Sequence, residues 1–136
     1  MTIHAAILAW WAADETLAGL LPAAKVYTGR VPTGVALPYA SLSQPSGASG
    51  GRSSGSDYTN LAIRVQVWTE TFAAGQAIAD RIEQVLANRS TGLDEDSRIV
   101  DTTHDSTFSV QESDPETRVW QFVVQLTVAR ARPRVH

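Results

Sequence analysis

Residues 58–69, YTNLAIRVQVWT, lead directly into residues 72–86, FAAGQAIADRIEQVL, and the change of rhythm between them decides the fold. In the first stretch Leu61, Ile63, Val65 and Val67 alternate with Ala62, Arg64, Gln66 and Trp68. A period of two places successive side chains on opposite faces of a strand, here one core face and one partly wet. The spacing then lengthens. Phe72, Ile78, Ile82, Val85 and Leu86 recur at helical intervals, with Asp80, Arg81, Glu83 and Gln84 outside the stripe. This spacing predicts an amphipathic helix over about 71–88, opened by Thr69 or Thr71.

Working outward, TRVWQFVVQLTVAR at the C-terminal side repeats the strand rhythm. Phe122, Val124, Leu126 and Val128 fall on one face, and Gln121, Val123, Gln125 and Thr127 on the other. SRIVDTTHDST and FSVQES between helix and final strand read as two further strands. On the N-terminal side, Thr2 caps a helix that places Ile3, Ile7, Trp10 and Trp11 on one face. Asp14 then caps a short helix or turn with Leu17, Leu20 and Leu21, which Pro22 ends. KVYTGRVP reads as a short strand, and in YASLSQ Tyr39, Ser41 and Ser43 alternate with Ala40, Leu42 and Gln44. Residues 45–57, PSGASGGRSSGSD, are expected to form a flexible Gly/Ser loop that buries little. The expectation is an α+β fold: an antiparallel sheet of about four or five strands, with two main helices packed on one face. It is a single domain over 1–129, followed by a basic tail, 130–136. The second sheet face, bearing Trp68, Val123 and on this reading Trp120, is too apolar to be left wholly to water.

Composition narrows the function. The formal charge of −3 opposes a generic nucleic-acid binder. The absence of cysteine excludes disulfide and thiolate chemistry. No apolar run reaches the roughly 20 residues that a bilayer requires, and the opening MTIHAAILAWWAADE lacks a basic leader, so neither membrane insertion nor export is expected. Charge is polarised along the chain: Asp94, Glu95, Asp96, Asp101, Asp105, Glu112, Asp114 and Glu116 face one base, Arg98, over 94–116, whereas 117–136 holds Arg118, Arg130, Arg132 and Arg134 without an acid. Such polarity suits head-to-tail subunit contacts.

Catalytic chemistry is thin. Asp101, His104, Asp105 and Ser106 include triad-type residues, but neighbours on a strand point to opposite faces. A metal at His104 with Asp101 or Asp105 would need ligands the vicinity does not supply. The glycines of 47–55 lack the lysine-serine ending of a phosphate loop. No catalytic, cofactor-binding or metal-ligating residue is expected.

Taken in order, LAGLLP, KVYTGRVPTGVALPYASL, the strand IRVQVWTET running straight into FAAGQAIADRIEQVL, and WQFVVQLTV resemble the phage tail-completion or tail-terminator family over roughly residues 3–129. The resemblance implies a non-enzymatic virion protein, assembled in the host cytoplasm and placed at the head-proximal end of the tail. There it would form a homo-oligomeric, hexameric ring, cap the tail-tube protein and meet a connector or stopper protein. DNA would pass through the channel without specific binding. Interface candidates are Trp10, Trp11, Arg52, Trp68, Arg118, Trp120, Arg130, Arg132 and Arg134. Rival readings are another neck component, such as a head-completion or stopper protein, and a non-viral ligand-binding module using the apolar sheet face as a pocket.

Overall fold

Helix α1, Ile3–Ala13, begins where Thr2 accepts a hydrogen bond from the Ala5 N–H at 3.0 Å, and it stops at Asp14, whose backbone is extended. The structure is a computed structural model that describes residues 2–44, 49–53, 56–94, 97–112 and 119–133. Asp14 also opens α2, Glu15–Leu20, by accepting from the Leu17 N–H at 2.8 Å. One side chain thus sets the corner between two helices. A 3-10 turn, Ala23–Lys25, leads into β1, Val26–Thr28. Then follow β2, Tyr39–Ser43, β3, Ser49–Ser53, and β4, Ser56–Thr69. Helix α3, Phe72–Leu86, is capped by Thr71. Strands β5, Thr91–Gly92, β6, Arg98–Glu112, and β7, Val119–Pro133, complete the described chain.

The α+β class agrees with the sequence reading, but the sheet is larger than expected. Among the described residues it has seven strands, in the order β1-β2-β4-β7-β6-β5, with β3 also on β4. It is mixed, because β1 runs parallel to β2 while the other pairs are antiparallel. Among the described residues there are three α-helices, the two expected main ones, α1 and α3, and between them the short α2 at the place expected for a helix or turn. Leu61, Ile63, Val65 and Val67 of β4 and Phe122, Val124, Leu126 and Val128 of β7 are buried, as their alternation requires. Helix α3 crosses β7, β4 and β6 on this side, and α1 and α2 pack on α3. Ile78, Ala79, Ile82, Val85 and Leu86 close the core with Ile7, Trp11, Leu17 and Leu21.

Three sequence expectations are corrected. SRIVDTTHDST and FSVQES form one strand, β6, whose register against β7 slips between Ile99 and Asp101 and between His104 and Ser106. Each slip inserts an unpaired residue and inverts the alternation, so the strand does not read as continuous. The stretch 45–57 is not loop throughout its described part: Ser49–Ser53 pairs with Ser56–Asn60 as a hairpin, since small residues satisfy a ladder through the backbone alone. Residues 130–133, expected to belong to a basic tail, continue β7 against β4.

Candidate assembly interface

Seven of the nine candidate contact residues lie among the described residues. Trp11 is 0% exposed, and its indole N–H donates to the Leu21 carbonyl at 2.7 Å, tying α1 to the end of α2. A side chain so enclosed serves the packing of α1 on α2. Trp10 remains partly exposed against the edge of the core. Arg52 lies on β3, opposite Asp57 of β4. Arg118 and Arg134 lie outside the described residues.

Trp68 and Trp120 occupy the same end of the sheet but opposite faces. Trp120 shares its parity with Phe122 and stands on the helix side, edge-on to Phe72 with ring centroids 5.1 Å apart. The expectation that it joins the second face is therefore corrected. Phe72 also leans on Phe122 at 5.4 Å, yet it stays 45% exposed at the start of α3. Trp68 lies on the second face against Tyr39 at 5.3 Å. Register places Tyr39, Trp68, Gln121 and Val110 in one cross-strand row, and Ser41, Gln66, Val123 and Phe108 in the next. Phe108 and Val110 are 46% and 47% exposed, while Val123, opposite Phe108 on β7, is only 4% exposed. Sequence reasoning missed Phe108, Val110 and Phe72 as surface features. The i, i+2 spacing of Phe108 and Val110 was the available signal, hidden by the slip at Asp105.

Arg130 and Arg132 share the helix side of β7 and line a cavity of about 420 Å³ with His4, Gln44, Asp94 and Ser97 over a floor that includes Leu61 and Ile63. This concavity is on the opposite side of the sheet from the apolar face that a ligand-binding module was expected to use. Its acid, Asp94, accepts from the Ser97 N–H at 2.8 Å.

The triad-type cluster separates in space. His104 faces the helices, with Nδ1 3.4 Å from Glu83 Oε1 of α3 and Nε2 2.7 Å from Thr107 Oγ1. Asp105 turns to the other face, where its carboxylate accepts from the Thr127 hydroxyl at 2.6 Å. A hydroxyl, an imidazole and a carboxylate do line up across Thr107, His104 and Glu83. They lie outside the cavity just described, on a surface where Glu83 and Thr107 are exposed. The arrangement joins α3 to β6 on an open surface.

A bidentate ion pair braces the helices. Arg81 of α3 donates from Nε to Asp14 Oδ1 at 3.0 Å and from Nη2 to Oδ2 at 2.6 Å. The Arg81 hydrogen bond, followed by the Leu17 N–H, holds the Asp14 carboxyl below its ordinary value, against a smaller opposing effect of burial. The same contact raises Arg81. It fastens the corner between α1 and α2 onto the helix that covers the sheet.

No curated protein matches the chain. Among solved structures, a chain of "Virion of native gene transfer agent (GTA) particle" superposes with a TM-score of 0.74 at 22% identity, covering 96% of this chain and 93% of that one. At that identity the likeness establishes a shared fold. The sequence pattern of the family described as Tail completion protein gp17 matches residues 5–129, which include α2, α3 and six of the seven described strands in full and all but the first two residues of α1; the chain belongs to that family.

Proposed function

We propose that this protein is a non-catalytic, ring-forming subunit that caps the tail tube at its head-proximal end and joins the tail to the head-neck complex. Family membership makes it a structural protein of a phage-type virion. The similar chain from a gene transfer agent virion supports a place within such a particle. The observation that carries the finer reading is the aromatic end of the sheet. Trp68, Phe108 and Val110 lie on one face and Phe72 and Trp120 on the other, so that Phe72, Phe108 and Val110 leave apolar side chains exposed on both faces of that end, and exposed apolar patches commonly mark interaction surfaces.

The partners that fit are further copies of this chain in a hexameric ring, the tail-tube protein, and a connector or stopper protein. A ring subunit needs two different complementary patches, and the acidic 94–116 stretch and the basic end of β7 supply opposite charges. The net charge of −3 suits a channel that lets DNA pass without gripping its phosphates. Negative-stain microscopy of the purified protein, alone and mixed with tail tubes, tests this. Rings alone and caps at one tube end are expected; a monomer that leaves tube ends bare defeats the reading.

A further inference from the structure

The two sides of the sheet are each covered over only part of their length. On one side β5 pairs with Arg98 and Ile99, so β6 from Asp101 to Glu112 has β7 inside and, among the described residues, no strand outside. On the other side β1 covers Ala40 to Leu42 of β2, while β3, which follows β2 along the same flank of β4, has no outer strand among the described residues. The free stretches also lie at opposite ends: β3 is level with Ala129–Pro133 of β7, and the free part of β6 with Val119–Ala129.

An uncovered strand edge presents a row of N–H and C=O groups to any strand that fits. Protection usually comes from lysine, proline, a bulge or a covering element. Residues 101–112 contain neither lysine nor proline, and the irregularity at Asp105 leaves Ser106–Glu112 as an uninterrupted run against β7. All of Asp105 to Val110 is exposed.

Direction decides what can dock. Strand β3 is antiparallel to β4, β4 to β7 and β7 to β6, so β3 and β6 point in opposite senses. A second copy placed head to tail along the sheet brings its β3 antiparallel to β6, and the alternation continues across the junction. Because the free stretches lie at opposite ends, the second copy must step along the strand axis, the stagger that a sheet closing on itself needs. Charge also favours this pairing: the free run of β6 ends in Glu112 and is preceded by Asp105, while the sequence of β3, SGGRS, has one base and no acid. Two β6 edges paired about a twofold would bring acids together and close as a dimer.

We propose that the β6 edge over Ser106–Glu112 receives β3 of a second copy by strand addition, which makes the ring contact a continuous sheet. The inference rests on the ring reading above and names the contact within it. The absence of native cysteine makes cross-linking unambiguous. Gly51→Cys is combined in turn with Thr107→Cys, Phe108→Cys and Ser109→Cys, and each single and double variant is sized in solution, oxidised, and separated without reductant. At least one double variant is expected to give a ladder of covalent multimers that no single variant gives. Rings that form normally but yield no ladder from any pair overturn the edge contact and leave the ring reading standing. Thr107→Cys alone dimerising as fully as a double variant overturns it in favour of a twofold contact. A strictly monomeric protein overturns both. Backbone amide exchange provides a measurement on the unmodified chain: amides within 106–112 should slow on assembly, and unchanged exchange in intact rings counts against the contact.

Discussion

Gly75 sits on α3 directly over the Phe122 ring, and a Cβ there would overlap that ring and come within 2.8 Å of Thr69 Oγ1. Gly75→Ala should therefore destabilise the fold by about 1–3 kcal/mol through overpacking, although alanine favours a helix. Chemical denaturation checks this, and a stability equal to or above wild type would show that Phe122 has room to move. Trp11→Phe keeps most of the buried ring but leaves the Leu21 carbonyl without its indole donor. A loss of about 1–3 kcal/mol follows from the unsatisfied acceptor, and Trp10→Phe should cost less, because Trp10 is only partly buried at the edge of the core. These two tryptophans could not be separated from sequence. Consecutive residues stand about 100° apart on a helix, so both border the apolar stripe, and only the position of α2 decides which one is enclosed.

At the scale of elements, the corner between α1 and α2 is held by a single carboxylate that caps one helix and grips another. Asp14→Asn keeps an oxygen for the Leu17 N–H but loses the charged contact with Arg81, so it should lower the melting temperature less than Asp14→Ala. Because the folded-state pKa of Asp14 lies below its ordinary value of 3.8, the stabilisation is complete above that value and is lost as pH falls through the lowered one. The melting-temperature gap between wild type and Asp14→Asn should accordingly narrow between pH 7 and pH 3. A gap that stays constant would mean the ion pair contributes nothing beyond the cap. The caps at Thr2, Asp14 and Thr71, the core face of β4 and the stripe of α3 were all legible, because capping chemistry and regular periods are local properties. Strand β6 was not, since two slips break its alternation into pieces that mimic separate strands. Nor was β3, whose Gly/Ser composition hides a pairing that depends on β4 lying alongside.

For the whole molecule, the apolar second face was visible in the alternation of Trp68 and Val123, but its extent was not. Phe108 reaches Val123, and Val110 reaches the row of Trp68, only through the register of β6 on β7. That register also separates two surfaces that sequence alone would merge, the aromatic sheet end and the Arg130–Arg132 cavity on the helix side. If the aromatic end carries self-association, Phe108→Ser with Val110→Ser should raise the concentration needed for assembly at least tenfold. Burying one such side chain contributes about 1.5–3 kcal/mol, and about 1.4 kcal/mol is a factor of ten in affinity. The folded monomer should hardly notice, because both side chains are already about half exposed and exposed positions usually shift stability by no more than about 0.5 kcal/mol. The paired change Arg130→Ala with Arg132→Ala provides the contrast. Should it abolish assembly while the Phe108 and Val110 variant assembles normally, the contact lies on the helix side of the sheet, and the aromatic end must face another component of the particle.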